Sequence, residues 1–161
     1  MGWSDVLAQR LPLLGHRNWV VVADSAFPAQ CSAGLEVLWS GEDLIPAALE
    51  TLNQIKAAPH VRPRIYVDSE LDALDDTLCP GIVAFRGDLE RMASTFGGRQ
   101  ALPHEDILKR MAEVGQIYSI LVIKTTMRMP YTSVFIDLQC GYWGDAAEAQ
   151  LRGRMSTSRP H

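Results

Sequence analysis

Two ionisable side chains bracket one short apolar run. In LGHRNWVVVADSAFPAQ, residues 14–30, His16 stands just ahead of Trp19–Ala23 and Asp24 closes it. An imidazole with an ordinary pKa near 6.5 suits proton transfer at neutral pH, and a carboxylate suits holding a donor in place. Taken singly, each has an ordinary role: a histidine in a surface loop, an acid that ends a strand and starts a turn. Tyr131, after Pro130, reads alone as a strand-edge residue, and Tyr142-Trp143 as packing. Their meaning depends on the elements that carry them.

WVVVA is β-branched and wholly apolar, which predicts a strand buried on both faces, in a sheet covered by helices. Before it, Trp3, Val6, Leu7, Leu11 and Leu14 recur at helical spacing, with Gly15 suited to follow the end of that helix. Leu35–Trp39 reads as a short strand. Asp43 caps a following helix with Pro46 in its first turn and Ile45, Leu49, Leu52 and Ile55 as its inward stripe. Ile65–Val67 is a strand, followed by the acidic loop SELDALDD, whose carboxylates read as solvated; two or more could in principle hold a cation, but the glycine and asparagine pattern of a calcium loop is missing. Helices are predicted at Gly87–Ala93 and Pro103–Val114, and Gly97-Gly98 as a turn. YSILVIK (118–124) and SVFIDLQC (133–140) are strands. The alternation predicts one α/β domain over 1–148, a three-layer unit with a mainly parallel sheet flanked by helices, and a flexible tail over 149–161. In such sheets ligands collect beyond the carboxyl ends of the strands, where Asp24 falls and His16 does not.

Composition narrows the function classes. With 161 residues and 47% hydrophobic content the chain buries a core of its own. Net charge is −4, so the basic stripe that phosphate backbones require is missing and nucleic acid is a poor partner. No apolar run approaches the roughly 18 residues of a bilayer span, and MGWSDVLAQRLPLLG lacks the basic start of a secretory signal. Three scattered cysteines, Cys31, Cys79 and Cys140, form neither a disulfide framework nor a zinc knuckle and read as reduced thiols of a cytoplasmic protein. The glycine patterns of dinucleotide, P-loop and nucleophile-elbow sites are missing too, and no metal site is predicted.

Together the motifs resemble a known family. Gly15-His16, then Asp24, then Pro28, with the triplet Phe27-Pro28-Ala29, is similar to the opening signature of the D-ribose pyranase and L-fucose mutarotase family, nearer its fucose branch. VIKTTMRMPYTSVFIDLQCG resembles the family's closing stretch, in which a tyrosine opens the last strand and a glycine ends it. The likeness spans roughly residues 5–141. It implies a cofactor-independent isomerase that interconverts anomers or ring forms of a monosaccharide, built as a homo-oligomeric ring, commonly a decamer, with sites across subunit contacts. It further implies His16 as proton donor, Asp24 as a charge-assisted acceptor for sugar hydroxyls, and Tyr131, Thr132 and Ser133 as the closing sugar-binding triplet. The family's further basic residue, twenty-two positions before the tyrosine, falls on Lys109; a five-residue insertion would put His104 there instead. Departures are Ser133, where the family usually has Asn, and Lys109, where relatives carry His or Arg. They leave an alternative, a non-catalytic carbohydrate-binding or regulatory protein on the same fold.

Overall fold

In a computed structural model, which describes residues 1–30 and 33–157, six strands form one sheet. They are β1 (Trp19–Ala23), β2 (Leu35–Trp39), β3 (Val61–Asp68), β4 (Arg99–Leu102), β5 (Ile120–Lys124) and β6 (Val134–Cys140), in the order β2-β5-β1-β6-β3-β4. The pairs β1–β5, β2–β5 and β3–β4 are parallel. Only β6 runs the other way, antiparallel to both β1 and β3, so the sheet is mainly parallel as its pattern predicts. All five residues of β1 are buried, as a strand with helices over both faces requires.

The helices are α1 (Trp3–Arg10), α2 (Leu44–Ala57), α3 (Glu70–Ala73), α4 (Ile82–Thr95), α5 (His104–Gly115) and α6 (Asp145–Thr157). On one face Val20, Val22, Leu121, Ile65 and Ile136 pack with Leu7 of α1, Leu52 and Ile55 of α2, and Ile82 and Leu89 of α4. On the other, Trp19, Val21, Tyr66, Val122 and Phe135 pack with Ile107 and Met111 of α5 and with Phe27. This is the three-layer α/β arrangement.

Several local expectations need correction. In α2 the buried residues are Leu44, Ala47, Ala48, Thr51, Leu52 and Ile55, while Leu49 is 42% exposed. Small side chains, Ala47, Ala48 and Thr51, make up half of the inward face, beside Leu44, Leu52 and Ile55. The acidic loop uses its carboxylates on backbone: Asp75 Oδ1 accepts from the amides of Thr77 and Leu78, and Asp76 Oδ1 from those of Gly81 and Val83 at the start of α4. That is negative charge at the positive end of a helix. Of the segment from Ala149, expected as a flexible tail, residues 149–157 continue α6, whose alanines, Glu, Gln, Leu and Arg favour helix; no residue of α6 is buried, and 158–161 lie outside the described residues. β4 joins the edge beyond Gly97 and Gly98, both in left-handed backbone, and is tied down by Arg99 bonding to Asp72 and Glu90. Cys79 and Cys140 are free thiols, and Cys31 lies outside the described residues.

Candidate functional site

Because β6 is inserted antiparallel between β1 and β3, its amino end arrives beside their carboxyl ends. Asp24 follows β1, Asp68 ends β3, and Ser133 immediately precedes β6 between them. The Ser133 hydroxyl donates to Asp24 Oδ1 at 2.5 Å and accepts the Asp24 amide at 3.0 Å, while Ser133 itself is buried. Thr132 is fully buried and donates its hydroxyl to the Met129 carbonyl at 2.8 Å. Tyr131 is 39% exposed and sits at φ +60°, in left-handed backbone that a bulky side chain rarely adopts. Such a conformation costs on the order of 1–3 kcal/mol and concentrates at working sites. Asp24, Ser25, Ala26, Arg128, Met129 and Pro130 line a hollow of about 330 Å³.

Two further groups complete this end of the sheet. Asp68 is 1% exposed, and its Oδ1 lies 2.9 Å from His104 Nδ1. Burial pushes the Asp68 carboxyl up from the usual Asp range, against the hydrogen bond and charge of His104, which favour the ionised form; Glu70 and Asp24 add to the upward push. Asp68 Oδ2 is buried with no hydrogen-bond partner among the described residues. The His104 backbone amide donates to both carboxylate oxygens of Glu70, at 3.0 and 3.1 Å. The ring of His104 meets that of Tyr131 edge-on, with centroids 5.6 Å apart.

Of the residues singled out in the sequence, Asp24, Tyr131, Thr132 and Ser133 therefore gather at one end of the sheet. Lys109 does not join them. It is exposed and lies with Leu102, Asp106, Arg110 and Glu113 at a separate hollow. Five residues along an α-helix turn about 500°, so Lys109 points roughly 140° away from His104. The ungapped count back from Tyr131 reaches Lys109, five residues beyond His104 on the same helix. Asp68 was missed altogether; its signal was an acid ending the apolar run of β3, the same signature that marked Asp24.

His16 lies at the opposite end. It is exposed, in a turn where Arg17 adopts φ +76° and donates its amide to the Leu138 carbonyl at 3.0 Å. Its charge acts on Asp137 of β6, whose carboxyl burial raises and Arg64, Gln139, Arg110 and His16 pull back down. The five residues of β1, at about 3.3 Å each, put roughly 17 Å between His16 and Asp24 within one chain.

No protein-family model matches the chain, and no curated protein matches its sequence. Solved structures do. RbsD of Bacillus subtilis, complexed with D-ribose, is similar over 89% of this chain and 98% of its own, with a TM-score of 0.61 and 20% identity. The fucose mutarotase of Streptococcus pneumoniae, in complex with L-fucose, is similar over 83% of this chain and 89% of its own, at TM-score 0.56 and 20% identity. FucU of Bifidobacterium longum is similar over 82% and 90%, at TM-score 0.54 and 14% identity. The fold of this chain, with its antiparallel last strand set between β1 and β3, is that of the RbsD and fucose mutarotase structures.

Proposed function

We propose that this protein is a divergent D-ribose pyranase or L-fucose mutarotase-like isomerase, one that interconverts the anomers or ring forms of a monosaccharide without a cofactor. The observation that carries the reading is the Asp24 carboxylate, held by the Ser133 hydroxyl at the carboxyl end of β1 with Tyr131 and His104 at the same end. RbsD and the pneumococcal fucose mutarotase hold D-ribose and L-fucose on the same fold.

Opening a cyclic hemiacetal moves two protons. The anomeric hydroxyl loses one as its oxygen becomes a carbonyl, the bond from the anomeric carbon to the ring oxygen breaks, and the ring oxygen takes up the other. Closing on the opposite face reverses both, with no oxidant or co-reactant. Two groups of moderate pKa suffice. Asp24 accepts from sugar hydroxyls, a charge-assisted contact stronger than a neutral one. Tyr131 offers its ring and phenol from a fixed, left-handed backbone. Thr132 and Ser133 act from below, one shaping the turn and the other aiming Asp24. His16 delivers the proton to the ring oxygen from a neighbouring subunit of a ring-shaped homo-oligomer, since the length of β1 separates it from Asp24 of its own chain. In this reading His104 takes the third basic position and Lys109 stays outside the site.

Saturation transfer between anomer signals in NMR, run over a panel including L-fucose, D-ribose and galactose, tests the proposal. Faster exchange of one sugar is the expected result; no enhancement with any of them would refute it. A second reading, a carbohydrate-binding protein without turnover, is favoured by Ser133 standing where an amide is usual. It predicts sugar binding by calorimetry together with exchange rates that His16→Gln leaves unchanged.

A further inference from the structure

We infer that Asp68 and His104 form a histidine–carboxylate pair that is the site's second acid–base device: His104 meets the anomeric hydroxyl, and Asp68 is the positioning residue that sets which ring nitrogen does so. This rests on the isomerase reading above and names a working part that reading leaves open.

The geometry fixes the imidazole from three sides. Asp68 Oδ1 engages Nδ1 at 2.9 Å, Glu70 clamps the His104 backbone amide at 3.0 and 3.1 Å, and the Tyr131 ring abuts the imidazole edge-on. An ionised carboxylate accepts hydrogen bonds only, so in the bonded pair the proton sits on Nδ1. The other nitrogen, Nε2, then carries a lone pair. It has no hydrogen-bond partner among the described residues, and the side chain keeps 27% of its surface open. The charged groups about the ring are Asp68 from β3, Glu70 from α3 and, through its effect on Asp68, Asp24 after β1. All three are acidic, so a proton taken by Nε2 meets negative charge.

A buried carboxylate at this position is not explained by stability. Asp68 is almost wholly buried, and one of its oxygens is left unpartnered. An apolar residue or an amide would avoid the cost of withdrawing a charge from water. Holding one tautomer of a neighbouring base is a use for which a carboxylate is needed. In the step itself, Nε2 takes the proton of the anomeric hydroxyl while the ring carbon–oxygen bond breaks and the ring oxygen is protonated by the donor. Closure returns the proton from Nε2 to the hydroxyl, leaving the pair as it began.

The test uses the full chain labelled with ¹⁵N-histidine. Long-range ¹H–¹⁵N spectra at neutral pH are expected to show neutral His104 as the Nδ1–H tautomer, and Asp68→Asn to abolish that preference, because an amide can donate to Nδ1. Anomer exchange is expected to fall about 10- to 100-fold in kcat in Asp68→Asn with KM within about twofold, less than the roughly 10²–10⁴ that a positioned acid–base group provides itself. His104→Gln should lose at least as much, and adding Asp68→Asn to it should cost no more than about a further twofold. An Nε2–H tautomer in the unmodified protein, or losses that multiply in the double variant, would overturn the pair. The tautomer measurement needs no sugar and no variant that folds. A protein that exchanges no sugar would therefore sink the isomerase reading, while the spectra still decide whether Asp68 sets the tautomer.

Discussion

Replacing Ser133 by Ala removes one oxygen atom that makes two bonds. As donor it serves Asp24 Oδ1 at 2.5 Å, and as acceptor it serves the Asp24 amide at 3.0 Å. A hydrogen bond to a charged group contributes about 1.5–3 kcal/mol and a neutral one about 1 kcal/mol, a sum of roughly 2.5–4 kcal/mol. Asp24 is only half-buried, so water recovers part of this, and a net loss of about 2 kcal/mol is the figure to test. For a chain of this size that lowers Tm by roughly 4–8 °C. Urea unfolding should show the same loss as a lower midpoint at unchanged m, since no surface is newly exposed in the native state. Asp24→Ala in the Ser133→Ala background should then cost much less than in the parent, because the two share the bond. A shift below about 1 °C, or strictly additive losses, would refute the claim that Ser133 holds Asp24 in place.

Four further substitutions have defined outcomes. His16→Gln should reduce anomer exchange while leaving the mass seen by light scattering unchanged, as His16 is exposed. Asp24→Asn should weaken sugar binding in calorimetry, because an acceptor-only carboxylate becomes a mixed amide. Asp137 is an acid whose folded pKa is raised, so its contribution favours folding below its ordinary value of 3.8 and is lost as pH rises through the folded value. Asp137→Asn should accordingly raise the urea midpoint at pH 7 and change it little near pH 3. In Gly141→Ala the new methyl would sit 2.6 Å from the Pro59 carbonyl oxygen and 2.8 Å from the Val61 nitrogen, both backbone, so a loss of about 1–3 kcal/mol is expected in the same assay.

What was legible in the sequence follows a physical rule. β1, β5 and β6 announce themselves because strands in the middle of a covered sheet are rich in apolar residues, as WVVVA, ILVI (120–123) and VFI (134–136) are. β4 does not, because RQAL is a short edge strand held by Arg99 and its two carboxylates rather than by its own burial. The stripe of α2 was misread at Leu49 because two alanines and a threonine supply half of the inward face, and periodicity is sought among large side chains. Asp24 with Tyr131, Thr132 and Ser133 was visible through a pattern at each end of the chain. His104 surfaced only as a rival to Lys109 and Asp68 not at all, since their meeting depends on the pairing of β3 with its neighbours, which leaves no periodic trace.

The position of β6 bears on how the chain reaches this state. Until residues 134–140 have been made, β1 and β3 are two bare edges, each a row of unpaired amides and carbonyls flanked by Val, Ile and Trp side chains. The last strand must slip between them, so a chain lacking it would be prone to self-association, and Asp24 and Asp68 could not take their places on either side of Ser133 before residues 134–140 are in position. Completion of the candidate site and protection from aggregation would thus arrive in one event, the closing of a zipper from the middle.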